Sequence, residues 1–206
     1  MTIDDILAAG PVMPVVVIDD AAHAVPLARA LVAGGIRAIE ITLRTGAALE
    51  AIQSIAREVP DAIPGVGTAV TEADVLAALD AGAKFIVSPG MTPALLRAAL
   101  GSGLPFLPGI ATASELMAGM AAGLAAFKFF PAAQAGGIDG LKALGGPFPS
   151  VRFCPTGGVS AANAAAYLAL ANVACVGGSG LAPREAIAAG DFTRIEQLAR
   201  EAAALR

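Results

Sequence analysis

The sequence predicts an α/β protein built as a (β/α)8 barrel with a short N-terminal helix, and three observations carry that expectation. Short β-rich runs alternate with longer alanine-rich segments of helical period from one end of the chain to the other. Successive strands start about 20 to 25 residues apart, leaving room for one helix and two short loops, as parallel neighbours need. The rival arrangement, a doubly wound open sheet, requires a glycine-rich dinucleotide fingerprint after an early strand. Here GVGTAV lacks the third glycine, and GSGLPF runs into a proline.

A short helix over 3–8 comes first and is expected to close the lower end of the barrel. The strands follow as MPVVVI (13–18), AIEITL (38–43), AIPGV (62–66), FIV (85–87), PFL (105–107), AFKFF (126–130), VRFC (151–154) and VACV (173–176). A helical segment follows each strand, for example 47–59, 72–81, 93–100 and 114–123. Eight such units within 206 residues fit a compact barrel near the lower size limit of that architecture. No linker or low-complexity segment divides the chain, so residues 1–206 are expected to form one domain.

Hydrophobic residues make up 56% of the chain and charged residues 15%, a balance that invites comparison with a membrane protein. The longest uncharged stretch, 153–183, answers it. That stretch contains Pro155, Asn163, Asn172 and the pairs Gly157/Gly158 and Gly177/Gly178, and it lacks the unbroken apolar run of ~18 residues that a spanning helix requires. Core strands and helices covered on both sides explain the composition better. The start, MTIDDILAAG, carries an acidic pair where a secretory signal would be basic, so a cytoplasmic location is expected. Cys154 and Cys175 lie in apolar strand-like runs and read as reduced structural thiols. A net charge of -4, no basic run and no tryptophan leave no footprint for nucleic acid. His23 has no companion ligand at metal spacing, so no metal site is expected.

The second strand holds the first chemical signal. Side chains alternate across a strand, so Ile39, Ile41 and Leu43 share one face while Glu40, Thr42 and Arg44 share the other. The apolar face must meet the helices, which directs a glutamate and an arginine inward near the C-terminal mouth, where barrel active sites lie. By the same parity Lys128 and Phe130 share a face of the sixth strand, with Phe127 and Phe129 opposite, and Pro131 ends the strand. Strands two and six are opposed in a ring of eight, so Glu40 and Lys128 are expected in one pocket. An amine beside Phe130 and close to Arg44 is disfavoured as a charge, one route to a Schiff-base lysine. Two bland readings stay open on pattern alone: a lysine that snorkels out of the barrel, and a structural ion pair with Glu40. Lys84, at the start of its strand, and Lys142, in a polar segment, have no such setting.

Two further stretches suit an anion. CPTGGVS (154–160) follows the seventh strand and VGGSGLA (176–182) the eighth, and glycines in these loops let backbone amides approach a phosphate. Ser179 adds a hydroxyl. GVGTAV (65–70) and VSPGMTP (87–93) each have glycine where the backbone is expected to turn at the mouth; Thr68 is a donor to a carboxylate and Pro89 a wall.

EITLRT, GVGT, SPGMTP, PGIATASEL, FKFFPA, RFCPTGG and VGGSGL occur in the order and spacing of the bacterial 2-keto-3-deoxy-6-phosphogluconate (KDPG) aldolases, also called 4-hydroxy-2-oxoglutarate aldolases, and the chain resembles that family over nearly its whole length. The resemblance implies a homotrimer of (β/α)8 barrels that cleaves a phosphorylated keto acid to pyruvate and glyceraldehyde 3-phosphate, with no metal or other cofactor. By motif, it implies that Lys128 is the Schiff-base lysine and Glu40 the general acid and base. It further implies that Arg44 and Thr68 hold the pyruvyl carboxylate, that Pro89 and Phe130 line the pyruvyl pocket, and that Thr156, Gly157, Gly158 and Ser179 form the phosphate end. The chain departs from the family pattern at GTAVTEAD, at Ala111 where serine is common, and at Gly180, where many relatives carry an aromatic residue. Two other classes keep the same pocket: a phosphosugar isomerase or epimerase with Glu40 as base and Lys128 as an electrostatic group, and a phosphometabolite-binding module without turnover. The residues do not choose between the C4 epimers of the phosphorylated substrate and 4-hydroxy-2-oxoglutarate.

Overall fold

Nine short strands, all paired in parallel, alternate with helices over residues 1–205, which a computed structural model describes. Helix α1 (Ile3–Leu7) opens the chain; the Thr2 hydroxyl accepts from the Asp5 N–H and the Asp5 carboxylate accepts from the Thr2 N–H. Strands β1 (Val12–Val16), β2 (Ala38–Thr42) and β3 (Ile63–Gly67) follow, separated by α2 (Ala24–Ala33) and α3 (Ala48–Glu58). Then come α4 (Glu72–Asp80), β4 (Ile86–Val87), α5 (Pro93–Gly101), β5 (Phe106–Leu107), β6 (Gly109–Ile110), α6 (Ala113–Ala121), β7 (Ala126–Phe129) and α7 (Gly137–Gly145). The last elements are β8 (Arg152–Pro155), α8 (Ala164–Leu168), β9 (Val176–Gly178), α9 (Arg184–Ala188) and α10 (Phe192–Ala203).

The hydrogen bonds define a curled six-stranded sheet, β5-β4-β3-β2-β1-β9, and a three-stranded sheet, β6-β7-β8. The expected fifth strand at 105–107 therefore appears as two pieces. Pro108 separates them because it has no N–H to give the ladder, although its carbonyl still accepts from the Lys128 N–H at 2.9 Å. The expected eighth strand at 173–176 is also corrected. Its first residues run beside β8, with the Ala174 N–H on the Phe153 carbonyl at 2.9 Å, while Val176–Gly178 pairs with β1.

Three apolar clusters fill the fold. Two lie between sheet and helices; Ile39 and Ile41 belong to one of them, as strand parity required. The third lies on the other side of the strands, where Ile6 and Leu7 of α1 meet Met13, Ala38, Ile63, Phe85, Leu107, Ala126 and Cys154. The partners come from both sheets and include the opening residues of three strands, Ala38 of β2, Ile63 of β3 and Ala126 of β7, so α1 packs at that end as expected. The Phe85 ring lies over Gly65 so closely that a Cβ there would fall 2.4 Å from the ring. Cys154 and Cys175 are buried thiols with sulfurs 3.5 Å apart. No helix among the described residues is long and apolar enough to cross a membrane.

Leu7→Ala removes a side chain that is 1% exposed from this inner cluster, and about 2–5 kcal/mol of stability should go with it. Urea denaturation should show a lower midpoint at an unchanged slope; a loss below ~0.5 kcal/mol would mean that α1 is not part of the core.

Candidate active site

All five residues of β2 are buried, and the face opposite Ile39 and Ile41 carries Glu40 and Thr42. The Thr42 hydroxyl donates to the Val16 carbonyl at 2.8 Å, so it braces β1 against β2 and is spent on structure. Glu40 instead faces Lys128, from the middle of β7. The Lys128 Nζ donates to Glu40 Oε1 at 3.0 Å and to Oε2 at 3.4 Å, with the lysine 5% exposed and the glutamate 2%. Every other ion pair among the described residues is at the surface, including Lys142 with Asp139. Lys84 is exposed at the opposite end of its strand. Lys128 therefore does not snorkel. Its Nζ also lies 5.4 Å from the centre of the half-buried Phe130 ring, whose π-face attracts a cation. Phe127 and Phe129 are fully buried in the outer cluster, as expected.

In the strand register Lys128 stands between Gly109 of β6 and Cys154 of β8. Gly109 brings Pro89 close: a Cβ on it would fall 2.2 Å from the Pro89 carbonyl oxygen. Pro89 is thus carried next to the strand that flanks Lys128, and is half-buried there. Thr68 directly follows β3 and is half-buried with φ +62°, in the left-handed region that a β-branched residue rarely adopts. The chain leaves β3 at Thr68, whereas the sequence pattern led one to expect the turn at its glycines; Gly65 and Gly67 are strand residues with φ outside the left-handed region. Arg44, two residues past β2, is exposed and has no hydrogen bond or ion pair among the described residues.

The second group of expected residues gathers beyond β8 and β9. Thr156 is 6% exposed, bridges to Gly177, and its hydroxyl lies 3.4 Å from the Cys154 carbonyl. A Cβ on Gly177 would fall 2.2 Å from that hydroxyl, so the close approach of Thr156 to β9 requires glycine. Gly157 and Gly158 have φ of +96° and +76°, and Asn163 ties the loop by donating to the Gly158 carbonyl at 3.0 Å. Ser179 and Gly180 are exposed just past β9. A contact the sequence did not announce clasps this edge: Arg184, opening α9, makes a bidentate pair with Asp19 of the β1 loop, with Nη2 to Oδ1 at 2.6 Å and Nε to Oδ2 at 3.1 Å. That hydrogen bonding raises the Arg184 guanidinium above its ordinary value.

The family model for KDPG and KHG aldolases matches residues 3–198. The chain belongs to that family. The KHG/KDPG aldolase of Escherichia coli K12 is 55% identical over 199 residues, covering 97% of this chain and 93% of that one. A KDPG aldolase structure from Legionella pneumophila, holding pyruvate as a covalent carbinolamine captured at low pH, superposes with a TM-score of 0.96 at 47% identity, over 98% of each chain. The KDPG aldolase of Zymomonas mobilis ZM4 with 3-phosphoglycerate gives a TM-score of 0.93 at 46% identity, over 99% of this chain and 96% of that one.

Within this family member, Thr68 holds a backbone conformation that costs about 1–3 kcal/mol and that glycine adopts freely. Thr68→Gly should therefore leave stability in urea denaturation unchanged or raise it, whereas glycine in an ordinary strand position costs about 0.5–1 kcal/mol. A loss of that size would show that the left-handed turn is not strained.

Proposed function

We propose that the protein is a class I aldolase that cleaves KDPG to pyruvate and glyceraldehyde 3-phosphate through a Schiff base on Lys128, with Glu40 as the acid and base. It cleaves 4-hydroxy-2-oxoglutarate to pyruvate and glyoxylate as a second reaction. The observation that carries this reading is the buried 3.0 Å contact between Lys128 Nζ and Glu40 Oε1, in a chain 55% identical to a KHG/KDPG aldolase. A proton moving along that hydrogen bond leaves a neutral amine beside a glutamic acid, the two forms the first step needs. The amine attacks the C2 carbonyl, Glu40 returns a proton to the oxygen, and loss of water from the carbinolamine gives an iminium. The carbinolamine held by the Legionella relative supports this sequence. Glu40, now a carboxylate, takes the C4 hydroxyl proton; the C3–C4 bond breaks, its electron pair enters the iminium, and the aldehyde departs. The resulting enamine is protonated at C3 by Glu40, and water releases pyruvate.

The remaining groups hold the substrate along its length. Arg44 and Thr68 bind the carboxylate next to the reacting carbonyl, and Pro89 and Phe130 enclose the pyruvyl end. Thr156, Gly157, Gly158 and Ser179 take the phosphate. The 3-phosphoglycerate in the Zymomonas relative supports a phosphate subsite, and the two left-handed glycines supply backbone amides for it without a lysine. Binding at that distance from C2 and C4 restricts the reacting carbons to one register.

The same proposal closes the sheet as an eight-stranded barrel in a single domain over 1–206. Two facts support closure: β5 runs into β6 across Pro108 alone, and the bridges Phe153–Val173 and Thr156–Gly177 connect β8 to the last strand. It also makes the protein a cytoplasmic homotrimer. Leu76 and Leu79 of α4, Leu100 of α5, and Met117 and Met120 of α6 are all exposed on consecutive helices, Leu76 to 63% and Met117 to 59%. Such an apolar surface favours contact with another copy.

Borohydride reduction in the presence of pyruvate should add a pyruvyl-derived mass to Lys128, located by peptide mass spectrometry. Native protein without the adduct, or Lys128→Ala protein with it, would overturn the Schiff-base assignment. Glu40→Gln should lower kcat for KDPG by about 10²–10⁴-fold, and kcat/KM over KDPG, its C4 epimer and 4-hydroxy-2-oxoglutarate should rank KDPG first. Light scattering should give three times the chain mass, reduced by Leu76→Glu with Met117→Glu; a native monomer would refute the trimer.

A further inference from the structure

We infer that Gly67 is a positioning residue for this site: its missing side chain is what allows the Glu40 carboxylate to stand against Lys128. The kinetic part of this inference rests on the proposed aldolase reading, and the structural part does not. A Cβ built on Gly67 would lie 2.5 Å from Glu40 Cγ, 2.5 Å from Oε1 and 2.9 Å from Cδ. Oε1 is the oxygen that accepts from Lys128 Nζ at 3.0 Å. The void at Gly67 and the lysine contact thus act on the same atom. The backbone at this position does not itself demand glycine, because φ is outside the left-handed region and the carbonyl makes an ordinary ladder bond, accepting from the Leu43 N–H at 2.9 Å.

A methyl group at residue 67 leaves two ways to resolve the overlap. Strand β3 cannot withdraw easily, because it pairs with β2 through five residues, from Ala38–Ile63 to Thr42–Gly67, and with β4 on its other side. Glu40 is a longer side chain whose carboxylate end rotates about its own bonds, so it yields. Being 2% exposed, it has no solvent to move into and turns its carboxylate away from the added carbon. The carboxylate then loses its place on Lys128 while the lysine, on a strand that does not pair with β3, keeps its own. The substitution separates the nucleophile from its acid and base.

The test is a cycle of four proteins: native, Gly67→Ala, Glu40→Ala and the double variant. In the native background Gly67→Ala should lower Tm by about 4 °C or more, and in the Glu40→Ala background, where the overlap is gone, by less than about 1 °C. Equal shifts in both backgrounds would overturn the inference. If Gly67→Ala alone fails to fold, a folded double variant supports the inference and an unfolded one overturns it. The kinetic arm follows exchange of the pyruvate C3 hydrogens for deuterium by NMR. Gly67→Ala should slow exchange about 10²-fold yet still reach the same borohydride-trapped adduct, and exchange within threefold of native would overturn the role. A native protein that neither exchanges nor traps pyruvate would instead refute the aldolase reading, leaving the Tm cycle to decide the structural claim.

Discussion

Lys128 and Glu40 meet with almost no water around them, and two opposite charges taken out of water cost several kcal/mol each before their attraction offsets the loss. A pair of apolar side chains of similar size would hold β2 and β7 together equally well. Removing either charge alone leaves the other stranded, at about 3–5 kcal/mol. The protein carries this unstable arrangement at the centre of its sheets, 88 residues apart in sequence, and much of the fold serves to keep it in place. The helices take the opposite faces of the same strands, through Ile39, Ile41, Phe127 and Phe129, so that neither strand can rotate to release its charge.

Reach follows from how the strands end. Several carry a side chain named above at or just past the end of the strand: Arg44 after β2, Thr68 after β3, Phe130 after β7, Thr156 after β8 and Ser179 after β9. Because the strands are parallel, these extensions all emerge on one side. The glycines at 109 and 177 matter through distance, since each lets a neighbouring loop approach to a separation that a methyl group would forbid.

Alternation was the part of the site readable from the sequence. AIEITL and AFKFF each announce which side chains turn inward, and a period of two needs no knowledge of neighbours. What depended on neighbours was hidden. PFL cannot reveal that Pro108 divides one strand into two, because the missing N–H matters only once a partner strand is beside it. Thr68 gives no local sign of a left-handed backbone, which its own branched side chain opposes. Asp19 and Arg184 are 165 residues apart, and nothing in either segment points to the other. Gly67 is the sharpest case: GVGT looks like a turn, and only the position of Glu40 on the adjacent strand shows that the absence of an atom is the relevant property.

Helix α1 fills the end of the strands away from Arg44, Thr68 and Ser179, and Met1 is 67% exposed beyond it. The first residue therefore provides a natural handle. A group attached at Met1 would sit on the side of the strands opposite Arg44, Thr68 and Ser179.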